Sequence, residues 1–248
     1  VLMGMTDAVI RSGQTVAGLT FSVQPGEPFL VSGAEAISEG KPSLFHCLAG
    51  LHALDSGSLQ LPSRPMDLMV ISGQSPYMAP TRFLIEQLAY PHSSSEQIDD
   101  ATVKRAMQVV HLEHLLLADE HNFESLPLKD KGKLCVARCL IQCPKCVVLL
   151  DVDLDAMSEI FTALDDAGVT VVTVVRCPTP THLEYHRRHL QLTGGGEWSL
   201  EDCDSPSSPW VKVGIADDDN KSLPTGEKQE QDQDQEQERP GPGKARNQ

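Results

Sequence analysis

Cations and aromatic rings are both scarce in this chain. Lys and Arg number 20 against 35 Asp and Glu, a formal net charge of -15 over 248 residues. No nucleic-acid partner is expected, because neutralising a phosphate backbone needs clustered Lys and Arg. Part of the acidity lies in the last fifty residues, so it says less about the folded portion. Aromatic residues make up 4% and hydrophobic residues 40%, so aliphatic packing must dominate the core. No apolar run approaches the roughly 20 residues that span a bilayer, and the N-terminus lacks the basic and apolar regions of a secretory signal. The chain as it stands is expected to be soluble. It opens on Val1 in strand-like sequence, and a fragment of a longer protein, with a membrane domain ahead of it, is the expectation.

What is present begins with a glycine loop. The apolar run Phe29-Leu30-Val31-Ser32 meets Gly33, and Glu39-Gly40-Lys41-Pro42-Ser43-Leu44-Phe45 opens an amphipathic segment through Leu48 and Leu51. Strand, glycine loop and helix is the order that holds a nucleotide phosphate, since glycines let backbone N–H groups point inward and a lysine adds charge. The working pattern places four residues between the glycines and Ser or Thr after the lysine. Here six separate Gly33 from Gly40, and Pro42 stands where the hydroxyl should hold magnesium. Proline offers neither hydroxyl nor N–H. Ser43 substitutes only if the helix start shifts, and an ordinary glycine turn before a helix stays open.

Alternation from Val16 to Val23 predicts a strand, Pro25-Gly26 a turn, and Pro28 to Val31 a second strand, together a hairpin leading into the loop. Leu59 to Pro62 and Asp67 to Ile71 predict two more strands. Helical periodicity follows at Phe83 to Leu88, from Val103 through Leu117, and from Leu134 to Ile141, where Pro144 ends it. Cys146 to Asp151 is an apolar run ending in an acid, as in a strand covered on both faces. A helix from Met157 to Leu164, capped by Gly168, and a buried strand from Val169 to Val175 complete a parallel crossover. His189 to Leu192 and Trp198 to Leu200 flank Gly194-Gly195-Gly196 as a closing hairpin. The domain boundaries read as 1–202 for the folded part and 203–248 for an acidic tail too polar to bury a core.

Asp151 ends its strand where an α/β nucleotide-binding fold puts the carboxylate that contacts magnesium through water. An acid there could also merely cap the following turn, but the strand context and the upstream glycine loop favour the functional origin. Val152 follows, where a glutamate would polarise the attacking water; losing a positioned base typically slows a reaction by about 10²- to 10⁴-fold. Cys135, Cys139, Cys143 and Cys146 form the other dense constellation, and the last three match the spacing of a radical S-adenosylmethionine iron–sulfur site. They lie on a helix end before a strand, whereas those enzymes carry the triplet in a loop after their first strand. Burial as small apolar residues is the simpler account, with zinc at Cys143 and Cys146 left open. His111, His114 and His121 lack the carboxylates and spacing of a metal site.

In order, these pieces resemble the nucleotide-binding domain of an ATP-binding cassette (ABC) transporter, most closely the peroxisomal subfamily D half-transporters. Gly40-Lys41-Pro42-Ser43-Leu44-Phe45 occupies the place of that family's Gly-Lys-Ser-Ser-Leu. Gly73-Gln74-Ser75-Pro76-Tyr77-Met78 resembles its Pro-Gln-x-Pro-Tyr-Met, and Leu84-Ile85-Glu86-Gln87-Leu88-Ala89-Tyr90-Pro91 its Leu-x-x-Gln-x-x-Tyr-Pro. Leu112 to Leu117 and Ala137-Arg138-Cys139-Leu140, before the run into Asp151, keep the family's order. The resemblance runs from about Leu19 to about Leu200. It implies an α/β fold of the P-loop NTPase kind, with a mostly parallel core sheet, an N-terminal antiparallel part and a helical subdomain. It implies ATP and Mg²⁺ as cofactors, a second nucleotide-binding domain and a transmembrane domain as partners, acyl-CoA or related cargo, and the peroxisomal membrane. Gly33, Gly40, Lys41, Ser43 and Gln74 would bind nucleotide, with Gln74 and Asp151 supporting the metal.

The departures are systematic. Leu126-Pro127-Leu128-Lys129-Asp130 replaces the Leu-Ser-Gly-Gly-Glu signature that grips the partner's ATP, Val152 replaces the catalytic glutamate, and Arg176 replaces the switch histidine. No aromatic near the start is placed to stack on adenine. No catalytic residue is assigned, and efficient hydrolysis is not expected. A non-enzymatic interaction module that keeps the fold without nucleotide, and a cysteine-ligated metal protein, are the alternatives.

Overall fold

The computed structural model describes residues 1–12, 14–33, 36, 43–91, 98–154 and 157–203. Gly40, Lys41 and Pro42, and residues 204–248, lie outside the described residues. Two sheets organise the described part. The first has three antiparallel strands, β1 (Met3–Ser12), β2 (Gln14–Val23) and β4 (Ser56–Gln60), in the order β2-β1-β4. The second has six, in the order β5-β6-β7-β3-β8-β9: β3 (Phe29–Ser32), β5 (Leu68–Ser72), β6 (Cys146–Leu150), β7 (Thr170–Val175), β8 (Arg188–Gly194) and β9 (Glu197–Asp202). All its neighbours pair in parallel except β8 and β9, which form the antiparallel closing hairpin.

Side-chain alternation in the central strands explains why their sequence reads as unbroken apolar runs. In β6, Cys146, Val148 and Leu150 pack with Met5, Leu19, Phe21 and Leu48 on one face. Val147 and Leu149 face the other way, among Met107, Leu134, Val136 and Phe161. Successive residues of a strand point to opposite faces, so a strand covered on both sides has no polar position. Each Val or Leu so buried contributes about 1.5–3 kcal/mol relative to exposure.

Helices α1 (Leu44–Leu48), α2 (Leu84–Ala89), α3 (Asp100–Val109), α4 (Leu128–Gln142), α5 (Met157–Asp166) and α6 (Pro180–Tyr185) complete the fold. Asp99 caps α3 by accepting from the N–H of Thr102 at 2.8 Å. At the far end of α4, Cys143 turns into the left-handed region at φ 45°, its N–H donating to the Cys139 carbonyl, just ahead of Pro144. The expected elements from Leu134 to Leu200 are therefore present, as are the mostly parallel sheet, the antiparallel N-terminal part and the helical part.

Two expectations are corrected. β2 does not pair with β3: it pairs with β1, and β3 lies in the other sheet between β7 and β8. All four residues of β3 are buried, and a strand with two apolar faces belongs at the centre of a covered sheet, whereas a half-exposed hairpin partner would alternate. The helix from Val103 to Leu117 breaks. α3 stops at Val109, His111 adopts φ 55°, and a separate 3-10 turn spans Glu113–Leu117. The turn lets Leu112 and Leu115 rejoin the core that a straight helix would have carried them past.

Candidate functional site

Parallel register brings four loops to one edge of the large sheet. Ser32 pairs with Val175, Leu150 with Val174, and Ser72 with Leu150, so the residues that follow these strands emerge together at their carboxyl ends. In open α/β sheets that edge is where ligands bind. Gly33, Arg176, Asp151 and Gln74 are those residues.

The connections between them are short. The Gly33 N–H donates to the carbonyls of Val175 and Arg176 at 3.2 and 3.3 Å. Gly33 has φ +120°, and a Cβ there would collide with the Leu192 carbonyl, so only glycine leaves β3 this way. Gly73, beside exposed Gln74, lies against the Asp151 carbonyl so closely that a Cβ would collide there too. Its N–H donates to the Leu150 carbonyl at 2.7 Å, while the Asp151 N–H donates to that of Val174 at 3.0 Å. Asp151 itself has φ 43°, a left-handed conformation uncommon outside glycine, asparagine and aspartate.

Its carboxylate faces Arg176. Oδ2 lies 3.7 Å from Nε of Arg176, and Oδ1 accepts from the Arg176 backbone N–H at 3.4 Å. The residue at the switch-histidine place thus contacts the acid expected to support a metal. Ser43, just before α1, is fully buried, and its hydroxyl hydrogen-bonds Nδ1 of His46 at 2.8 Å. Val152, the next residue after Asp151, packs in the apolar layer with Leu154 and Phe161, its methyl facing Gly132 of α4. Pro127 stands at the N-cap of α4, Leu128 is exposed, and Lys129 pairs with Asp153 at 3.3 Å.

Of the two residues expected to support Mg²⁺, Gln74 is exposed and Asp151 already has a cationic neighbour. Magnesium requires near-octahedral oxygen coordination. Pro42 has no hydroxyl, the Ser43 hydroxyl is engaged by an imidazole, and Asp151 is paired with a guanidinium.

The four cysteines differ in exposure. Cys135, Cys139 and Cys146 are buried and Cys143 is exposed. Burial pushes the Cys146 thiol up to about 12 and that of Cys139 well above its ordinary value, so both stay protonated. Cys139 Sγ rests 3.0 Å from Sδ of Met69. Among the described residues no three His, Cys, Asp or Glu side chains come close enough to hold a metal ion. His111 meets Glu159 at 3.4 Å on the surface.

A polar node inside the helical part was not read from the sequence. Arg138, 4% exposed on α4, donates to the carbonyls of Gln87 at 2.7 Å and Tyr77 at 2.8 Å, and to Oε1 of Gln87. Gln87 in turn accepts from the Ala79 N–H at 2.7 Å, and the Tyr90 ring lies 5.6 Å under the guanidinium. One arginine thereby ties α4, α2 and the segment after Gln74 into a unit. The signal was available: a charged residue in the apolar stretch Leu134 to Ile141 must find buried partners.

No family model matches the chain. It is 27% identical over 205 residues to ATP-binding cassette sub-family D member 1 of Drosophila melanogaster, covering 77% of this chain and 27% of that protein. It is 30% identical over 195 residues to an uncharacterized ABC transporter ATP-binding protein of Synechocystis, covering 75% of this chain and 28% of that protein. The chain thus spans about a quarter of the length of these curated relatives. In structure it is similar to an ATP-binding subunit of an ABC transporter, with TM-score 0.65, 15% identity and 82% of this chain and 90% of that one covered. A second similar structure is cbiO1 of Clostridium perfringens, part of the ABC transporter complex cbiONQ, at TM-score 0.61, 15% identity and 82% and 88% coverage. The chain has the fold of an ABC transporter ATP-binding domain and is related to such domains in sequence.

Proposed function

We propose that the chain is the ATP-binding domain of a subfamily D type ABC transporter that moves fatty acyl-CoA or related cargo across the peroxisomal membrane, and that this copy is catalytically impaired. Among the described residues no helix is long and apolar enough to cross a membrane, so the transport path belongs to a transmembrane domain that this one would drive. Pairing with a second, competent nucleotide-binding domain would let the assembly turn over while this site only binds. The observation that carries the reading is the convergence of Gly33, Gln74 and Asp151 on one carboxyl edge while Val152 is turned into the core. In this reading those residues are the binding groups, and the place of the attacking base is apolar. Gly40, Lys41 and Ser43 complete the proposed nucleotide contacts, with Lys41 on the β and γ phosphates.

Equilibrium dialysis of ATP against wild type and Lys41→Ala tests the binding half. Wild type should bind, and the variant should lose about tenfold or more, the worth of roughly 1.4 kcal/mol; equal affinity would mean that the loop does not hold phosphate. The impairment half is tested by Val152→Glu. A carboxylate placed beside Gly132 and Leu154 is poorly hydrated, and burying a polar group without a partner costs about 1–3 kcal/mol. The variant should therefore be less stable and still show no ATP turnover. Turnover by the wild-type chain would contradict the reading, whereas turnover restored by Val152→Glu would trace the impairment to Val152 alone.

Pairing of Asp151 with Arg176, and of Ser43 with His46, favours a second reading, a cassette-fold interaction module without nucleotide. Thermal unfolding separates the two. Saturating ATP at 100 times its Kd adds about 2.7 kcal/mol, and an unchanged midpoint would favour the interaction module.

A further inference from the structure

Helix α2 has six residues and little to hold it by itself. An isolated helix shorter than about 12–15 residues is marginal in water, and Phe83 at its N-cap makes no side-chain cap. The last carbonyls of a helix find no partner within it, and here they are met from α4. Arg138 Nε donates to the Gln87 carbonyl at 2.7 Å, while Gln142 Nε2 donates to the Leu88 carbonyl at 3.0 Å and to that of Tyr90. Both partners of Gln142 only accept, so its amide nitrogen must face them. Arg138 and Gln142 are four residues apart, which puts them one above the other on a single face of α4.

The stretch ahead of α2 is held from the same face. Arg138 also donates to the Tyr77 carbonyl at 2.8 Å, and Cys135 Sγ lies 3.7 Å from that oxygen. Gln87, itself held by Arg138, takes both the N–H and the carbonyl of Ala79, at 2.7 and 3.3 Å. Met78 and Leu88 add apolar contact in the layer that contains Leu134. Gly73, by contrast, is bonded to the sheet through the Leu150 carbonyl. The chain therefore passes from sheet-bound Gly73 through exposed Gln74 and Ser75 to a segment whose order is supplied by α4.

We propose that α2 is a conditional helix, ordered because α4 caps its carboxyl end in trans, and that Tyr77 to Tyr90 is an order–disorder element set beside Gln74. Without these caps the segment opens locally, ahead of α4 and of the sheet. Gln142, partly exposed at the end of α4, is the accessible half of the latch. A ligand or partner that draws it off the two carbonyls releases the stretch that follows Gln74, which gives the candidate edge a control point on a separate helix. The inference goes beyond the nucleotide reading and stands whether or not ATP binds.

Native-state amide exchange of the full chain tests it, read at the N–H groups of Gln87 and Tyr90, which donate to the Phe83 and Glu86 carbonyls. Gln142→Glu keeps the side chain's shape and removes the donor. It should speed exchange at Gln87 and Tyr90 about tenfold, the worth of two lost hydrogen bonds. The amides of β7, and those of α4 from Leu134 to Arg138, should stay within about twofold of wild type. Gln142→Lys restores a donor to the same carbonyls and should hold exchange at Gln87 and Tyr90 within about threefold of wild type. Unchanged exchange in Gln142→Glu, equal acceleration in α4 or β7, or an equal loss in Gln142→Lys overturns the inference.

Discussion

Arg138→Ala should lower the unfolding free energy by roughly 3–5 kcal/mol, more than any surface substitution in the chain. The guanidinium donates to the Tyr77 and Gln87 carbonyls and to the Gln87 side chain, the Gln87 contacts buried and the Tyr77 contact partly so. Each acceptor left without a donor costs about 1–3 kcal/mol, and the vacated volume adds a cavity penalty. For a domain of this size the loss corresponds to roughly 10 °C in midpoint. Arg138→Met isolates the cause, because it fills most of the space and supplies no donor. A midpoint near wild type in that variant would show that the node contributes packing and no hydrogen-bond stabilisation. Chemical unfolding followed by circular dichroism is sufficient. Since the node joins α4 to the segment leaving Gln74, its loss should also loosen that segment, visible as faster amide exchange from Tyr77 to Ala79.

Acid should unfold the protein early, through His186. This ring is 1% exposed. Its Nδ1–H donates to the His182 carbonyl at 2.6 Å, so neutral Nε2 accepts from the Thr173 hydroxyl at 2.8 Å. Phe161 meets it edge-on at 5.4 Å, and the Tyr185 ring does so at 5.2 Å. Burial, reinforced by neighbouring His182 and His189, pushes its pKa down to about 3; the backbone hydrogen bond opposes the shift only in part. His182 and His189 are lowered in the same direction, again by burial. The charged groups near this cluster are Asp165 and Arg187, which act on Tyr185, and Glu201, which raises the pKa of His189.

The sign follows from linkage. The unfolded chain takes up the proton near the ordinary histidine value and the folded chain resists it until about 3. Between those limits the unfolded state holds more protons, so stability is fully present above about pH 6.5 and falls as the solution is acidified. One such group removes about 1.4 kcal/mol per pH unit across that window. Urea unfolding from pH 7 to pH 4 should show this slope in wild type, and His186→Gln should show a slope smaller by about that amount, whatever its absolute stability. Identical slopes would mean that His186 is protonated in the folded protein at a normal pH.

Much of the architecture was legible because its cause is local or periodic. Cys146 to Leu150 and Val169 to Val175 have no polar alternation and could only be strands covered on both faces, as found. Gly33 and Asp151 were recognisable from their places at strand ends, and Gln74, Gln87 and Tyr90 from ordered family-like segments. The N-terminal pairing was not legible. Which strand β2 chooses depends on β1 and β4 from distant parts of the chain, and proximity in sequence pointed instead to β3. The break at His111 escaped for a similar reason, since apolar spacing continued through a turn that only the core's shape required.

The sequence by itself determined which chemical groups are at hand: a lysine with proline directly after it, a valine after the strand acid and an arginine after Val175. Residue identity is covalent, and no fold can return an oxygen to Pro42 or a carboxylate to Val152. Only the tertiary structure decided what the remaining groups do to one another. Parallel register set Arg176 beside Asp151 and under the start of the glycine loop, packing turned Val152 inward, and burial gathered Arg138 with Gln87 across 51 residues. Such pairings arise from long-range burial, where each polar group must find a partner once water is removed, and the chain's local pattern carries no record of which partner that will be.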